Sequence, residues 1–174
     1  MAWAVKPSAS IEIEQRSEPW LTDSIRKVID IDIVPRYACP RGALMPALHL
    51  VQTEYGYIAP QAMVEIAEVL GITPSQVADV VSFYEQYHDE PVGEHVIGVC
   101  QSIACEIRGS QALIDHLKNK LDIGIHETTE DGKFTLLAME CLGACDTAPC
   151  ALVGEGRRDN LTISEVDRIV KECK

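Results

Sequence analysis

Four of the seven cysteines fall into two close pairs. Cys100 and Cys105 make C-x4-C in CQSIAC, and Cys141 and Cys145 make C-x3-C in CLGAC, with 35 residues between the pairs. Each pair follows a β-like run: HVIGVC ends at Cys100 and FTLLAMEC ends at Cys141. Two loops that each bring two thiolates to a strand end can hold one metal centre. Structural zinc sites mostly use tighter C-x2-C turns, often with histidine. No C-x-x-C occurs in this chain. Longer loops fit a larger, two-iron cluster better. Buried cysteines also act as small hydrophobes, which suits a lone cysteine better than two pairs at strand ends.

The intervening residues agree with a cluster. Cluster sulfurs need backbone N–H groups aimed at them, so the chain must wrap closely. Leu142-Gly143-Ala144 separates the second pair, Ala104 precedes Cys105, and Ala148-Pro149 follows. Gly143 reaches positive φ without steric cost. Cys150 lies five residues after Cys145 and creates a second C-x4-C, so spacing alone leaves it as a rival fourth ligand. Cys39 sits in YACPRG and Cys173 lies next to the last residue; both read as free thiols. The histidines, His49, His88, His95, His116 and His126, are scattered, and none pairs closely with a cysteine. A Rieske centre needs two such histidines.

Composition sets the frame for these loops. The 174 residues permit one medium domain or two small ones, and 47% hydrophobic content supports a packed core. An odd number of cysteines argues against a fully paired disulfide framework. No apolar run reaches the ~18 residues of a membrane span, and the N-terminus lacks the basic start and apolar centre of a secretory signal. The chain therefore reads as cytoplasmic, where clustered thiols serve as ligands more often than as disulfides. Net charge is −12. No Lys or Arg falls between Ala43 and Ile107, where nine acidic residues lie. Such a surface repels phosphate backbones, which excludes nucleic acid as a partner. It favours solubility, and it could steer a basic partner.

Residues 1–17 read as a loose polar tail. Residues 18–90 read as a helical bundle. Trp20, Leu21, Ile25, Val28 and Ile29 recur at helical spacing. A second helix is expected over Arg41–Tyr55 with Leu44, Leu48 and Val51 on one face and Gly56 as its stop. Pro60 starts a third, which Gly71 ends. Thr73, Pro74 and Gln76 supply an N-cap, a first-turn proline and a capping box for a fourth, whose apolar face carries Val77, Val80, Val81 and Tyr84. Phe83, Tyr84 and Tyr87 close it, as core or as a docking surface. The pattern changes at Asp89-Glu90-Pro91-Val92-Gly93. Residues 91–174 then alternate: strand His95–Val99, helix Ser110–Leu121, strands Phe134–Met139 and Cys150–Val153, and helix Ser164–Glu172 capped by Thr162 with Glu165. Leu113, Ile114, Leu117 and Leu121 share one side of the first of these helices. This order implies a small α/β sheet domain.

Plant-type ferredoxins use C-x4-C-x2-C with a distant fourth cysteine, and bacterial ferredoxins use C-x2-C-x2-C-x3-C. The two-plus-two arrangement in an α/β frame resembles instead the thioredoxin-like [2Fe–2S] ferredoxins. The stretches ALMPALHLVQTEYGYI, VVSFYEQY, DGKFTL, ECLGACDTAPC and DNLT extend the likeness from about Val34 to Cys173. They resemble the E subunits of bacterial NADH:quinone oxidoreductase, respiratory complex I, counterparts of the mitochondrial flavoprotein 2 subunit. Similar subunits serve NAD-linked hydrogenases, formate dehydrogenases and electron-bifurcating enzymes.

The resemblance implies an N-terminal helical bundle followed by a thioredoxin-like domain. It implies that Cys100, Cys105, Cys141 and Cys145 ligate one [2Fe–2S] cluster and that Cys150, at a position usually small and apolar, packs a strand. It implies a partner flavoprotein carrying FMN and NADH, further iron–sulfur subunits, and a place in a peripheral arm at the inner face of the cell membrane. The chain itself has no G-x-G-x-x-G after a strand and no Walker loop, so no nucleotide site of its own is expected. A zinc-stabilised adaptor without redox role is the reading of another class. A thiol–disulfide oxidoreductase needs the C-x-x-C that is absent.

Overall fold

The computed structural model describes residues 16–173. Residues 1–15 of the expected tail lie outside the described residues. The chain divides into two compact units, one ending at Pro91 and the other beginning at Val92.

The first unit is built from four helices: α1 (Asp23–Val28), α2 (Leu44–Tyr55), α3 (Pro60–Leu70) and α4 (Pro74–Phe83). Trp20 and Leu21, expected within the first helix, precede it and are buried; Thr22 caps it, accepting the Ile25 N–H. Past Val28 the helix widens into a π turn over Ile29–Ile33 and tightens into a 3-10 turn over Val34–Arg36. Arg41 falls in a separate 3-10 turn, Pro40–Ala43, that leads into α2. Gly56 and Gly71 end α2 and α3 at φ of +81° and +62°, where an L side chain is disfavoured. The reciprocal capping box of Thr73 and Gln76 is present at α4.

Leu44, Leu48, Val51, Ile66, Leu70, Val77 and Val81 fill one core. The aromatic group after α4 splits: Tyr87 is buried, whereas Phe83 is 78% exposed and Tyr84 is exposed too. Buried Glu65 accepts the backbone N–H groups of Trp20 (3.2 Å) and Leu21 (2.8 Å) and the Gln61 side-chain amide (2.9 Å). That carboxylate ties the segment before α1 to α3. Gln52 on α2 does the same for the exit from α4: it donates to the Gln86 carbonyl and accepts the His88 N–H, at 2.7 and 2.8 Å.

The second unit carries a five-stranded sheet in the order β2-β3-β1-β4-β5. Its strands are β1 (His95–Cys100), β2 (Glu127–Thr128), β3 (Phe134–Met139), β4 (Ala151–Val153) and β5 (Gly156–Arg158), with helices α5 (Ile103–Ile107), α6 (Ser110–Leu121) and α7 (Ile163–Glu172). β1 and β3 are parallel, and every other pairing is antiparallel. A parallel pair needs a crossover, which α5 and α6 supply. Ile97 and Val99 of β1 and Phe134 and Leu136 of β3 alternate toward a core shared with Leu113, Ile114 and Leu117 of α6 and Val166, Ile169 and Val170 of α7. Asp167 of α7 binds Lys120 (2.8 Å) and His116 (2.7 Å) of α6, and these two partners hold its carboxyl below the usual carboxylate range. Gly93 enters the sheet where a Cβ would lie 2.8 Å from the Phe134 carbonyl carbon.

Candidate metal centre

β1 and β3 run side by side in one direction, with Cys100 opposite Met139. The chain therefore leaves both strands at the same edge of the sheet. The Gln101 N–H donates to the Met139 carbonyl (2.9 Å), which holds the two exits together. From the first exit the chain turns through Gln101-Ser102 into α5, whose inward position is Cys105. From the second it passes Cys141, turns at Gly143 (φ +71°), and reaches Cys145 at the head of a 3-10 turn, Cys145–Thr147. β4 is antiparallel to β1, so it begins at this edge, and Cys150 stands just before it. The Cys100 N–H donates to the Cys150 carbonyl (3.0 Å).

Five cysteines thus gather at one sheet edge, in two tiers. Cys100, Cys105 and Cys150 are buried, with their sulfurs within 4.8 Å of one another, and Cys105 Sγ lies 3.8 Å from Cys150 Sγ. Cys141 and Cys145 are exposed loop residues. Of the four expected ligands, the structure brings Cys100 and Cys105 into the buried group and leaves Cys141 and Cys145 at its rim. Cys150, expected to pack a strand, stands just before β4, buried with Ala144 and Ala148, and its sulfur lies with those of Cys100 and Cys105. The spacing signal for this was the second C-x4-C. Cys39 is exposed and belongs to the first unit, and Cys173 packs partly against the α6–α7 core.

The electrostatics differ between the tiers. Burial pushes the Cys100 thiol up, but the Leu142 and Ser102 N–H groups and hydrogen bonds with the Cys105 and Ser102 side chains outweigh it, leaving Cys100 below its ordinary value. Burial raises Cys105, although the Cys150 N–H, aimed at its sulfur, works against this. Burial, followed by the contact with Cys105, raises Cys150 to about 12. At the rim, the hydrogen bond with Cys141 raises Cys145. The Gly143 N–H lies 3.4 Å from Cys141 Sγ. Ala104, Leu142, Ala144 and Ala148 pack around the buried sulfurs. Arg108 Nε donates to the Ala148 carbonyl (3.2 Å), tying the end of α5 to the loop before β4.

Soft thiolate donors, N–H groups directed at sulfur and a small-residue lining fit an iron–sulfur group. Sequence reasoning missed α5, the short helix that turns Cys105 inward and leaves Ile103 and Ile107 76% and 80% exposed.

The mixed sheet with two helices on one core and a thiol-lined edge defines a thioredoxin-like [2Fe–2S] ferredoxin, and the model of that family matches residues 31–174. The chain is 39% identical over 139 residues to the second E subunit of NADH-quinone oxidoreductase from Rhizobium meliloti, covering 80% of this chain and 83% of that protein. It is 41% identical over 138 residues to the corresponding E subunit from Escherichia coli, covering 79% and 83%. The E subunit from Mycobacterium tuberculosis is 42% identical over 143 residues, and the match spans 82% of this chain but only 57% of that longer protein. The chain belongs to the family of these E subunits, and the group its thiols serve is a [2Fe–2S] cluster. Among solved structures, an NAD+-reducing [NiFe]-hydrogenase in the H2-reduced state matches with a TM-score of 0.66 at 23% identity, over 79% of this chain and 23% of that chain. At that identity the likeness shows the fold alone.

Proposed function

We propose that this chain is the [2Fe–2S] electron-transfer subunit of an NADH:quinone oxidoreductase, seated beside the FMN of an NADH-oxidising flavoprotein subunit. Cys100, Cys105, Cys141 and Cys145 are its ligands. The observation that carries the reading is the parallel register of β1 and β3, which delivers both cysteine pairs to one edge of the sheet.

When bound, a [2Fe–2S] cluster supplies reversible one-electron transfer. The chain's own part is steric and electrostatic. Ala144 and Ala148, both buried, exclude water from beneath the sulfurs. The Leu142, Ser102 and Gly143 N–H groups offset the negative charge of thiolate ligands. The exposed rim at Cys141 and Cys145 and the exposed isoleucines of α5 are surfaces open to a partner chain. This function asks no side chain to act as acid or base. NADH and FMN belong to the flavoprotein, and further iron–sulfur subunits complete the complex. The assembly is a peripheral arm at the inner face of the cell membrane; among the described residues, no helix is long and apolar enough to cross it.

Anaerobic native purification tests the proposal. The expected product is brown, bleaches with dithionite, and brings with it an FMN-containing flavoprotein and quinone-reducing partner subunits. Colourless protein with stoichiometric zinc overturns the cluster. A hydrogenase or formate dehydrogenase catalytic subunit among the partners overturns the parent complex.

A further inference from the structure

Cys150 has no part in the proposed ligand set, yet its Sγ stands 3.8 Å from Cys105 Sγ. Both residues are essentially closed to water, at 1% and 2% exposure. The position of Cys150 is fixed by its surroundings. Its carbonyl accepts the Cys100 N–H, and the preceding Pro149 carbonyl accepts the Leu161 N–H at 2.9 Å. Its own N–H already points at Cys105. The backbone at Cys150 is therefore pinned on both sides, and its buried thiol is packed among Ala104, Ala144 and Ala148.

Two sulfurs at this distance can share one proton. A cysteine bound to iron is a thiolate and has no proton to give. If Cys105 is a ligand, it can only accept, and Cys150 can only donate. We propose that the Cys150 thiol donates an S–H···S hydrogen bond to the Cys105 ligand sulfur and thereby raises the reduction potential of the cluster. This rests on the ligand set proposed above. A donor draws negative charge from the ligand sulfur. The reduced form carries one more electron, so it gains more from the donor than the oxidised form does. The closed, low-dielectric surroundings leave that difference weakly screened. Cys150 is on this account a tuning residue, acting on the cluster only through Cys105.

The test uses the full chain, reconstituted anaerobically with iron and sulfide, as wild type and as Cys150→Ala and Cys150→Ser. Iron and sulfide content, the midpoint potential, and the hyperfine coupling of exchangeable protons in the reduced form are measured. Both variants are expected to keep full iron and sulfide. Cys150→Ala lowers the potential by a shift equivalent to about tenfold in the reduced-to-oxidised ratio, ~59 mV for one electron, and loses one exchangeable-proton coupling. Cys150→Ser, which keeps a donor, moves the potential back toward wild type. If Cys150→Ala does not fold, Cys150→Val fills the space without a donor and carries the same expectation. Full cluster content with an unmoved potential overturns the hydrogen bond and leaves the ligand set standing. Iron lost from both variants but kept by Cys145→Ala overturns the ligand set, and the hydrogen bond with it, and makes Cys150 the fourth ligand.

Discussion

Cys100 stands opposite Met139 across a parallel strand pair, and the thiol edge follows from that register. Two parallel neighbours must release the chain at one edge, so a cysteine pair placed after each strand arrives at one place. The antiparallel β4 starts at the same edge and adds Cys150. A single-residue slip of β1 against β3 would turn Cys100 to the other face, because side chains alternate along a strand.

Single replacements by alanine sort the seven cysteines. Cys100→Ala, Cys105→Ala, Cys141→Ala and Cys145→Ala are each expected to lose most of the iron and the visible absorbance. Cys39→Ala and Cys173→Ala are expected to keep both, since Cys39 belongs to the helical unit and Cys173 packs against the α6–α7 core. The rim positions are the sharpest case. Wild-type iron content in Cys141→Ala would remove that exposed residue from the ligand set.

Ile103 and Ile107 lie one helical turn apart on α5, on either side of buried Cys105, and both are largely exposed. Burying one isoleucine in an interface is worth roughly 2 kcal/mol, or about thirtyfold in affinity. If the proposed flavoprotein partner seats on this helix, Ile103→Glu and Ile107→Glu weaken its retention in a pull-down by about that factor or more. Their visible spectra should match wild type, because neither side chain faces the sulfurs. Undiminished retention by the double variant would place the docking surface elsewhere on the chain.

The helix signals were legible because each is local. Thr73-Pro74 with Gln76, and the glycines at 56 and 71, act within one turn, and the structure has a helix boundary at each. The strands β1 and β3 were legible from their apolar runs. What escaped was whatever tertiary pairing alone specifies. IACEI, in α5, is too short to display a helical period. β2 (ET) and β5 (GRR) are short polar strands that exist through their neighbours. Phe83, Tyr84 and Tyr87 look alike in composition, yet only Tyr87 enters the core, with its hydroxyl donating to the Met45 carbonyl (3.3 Å). The two cysteine pairs were readable from spacing. The second C-x4-C marked Cys150 as a rival ligand, but its closeness to Cys105 in particular depends on the direction in which β4 enters the sheet.

Glu65 concentrates the polar stabilisation of the helical unit. Its carboxylate satisfies two buried backbone donors, from Trp20 and Leu21, which precede α1 and so have no partner within that helix. Glu65→Ala strands both and is expected to cost about 2–3 kcal/mol in denaturant unfolding of the helical signal. Glu65→Gln keeps one acceptor oxygen and should cost less. A loss below about 0.5 kcal/mol in Glu65→Ala would show that water replaces the carboxylate at no cost.

His88 gives the helical unit a pH dependence in the mildly acidic range. Burial holds its imidazole below the ordinary value of 6.5, although the Asp89 charge works in the opposite sense. The unfolded chain takes up a proton near that ordinary value, and the folded chain does so only at lower pH. Between the two, the unfolded state binds more protons. Stability is therefore complete above about 6.5 and declines as pH falls toward the folded-state pKa, by at most about 1.4 kcal/mol per pH unit for one proton. His88→Gln removes this contribution and should flatten the decline in unfolding midpoint between pH 7 and pH 5. Its backbone N–H and carbonyl keep their partners, Gln52 and Ile58, in the variant. An NMR titration of the His88 ring reads the cause directly: a midpoint at or above the ordinary value would remove His88 as the source of any acid sensitivity.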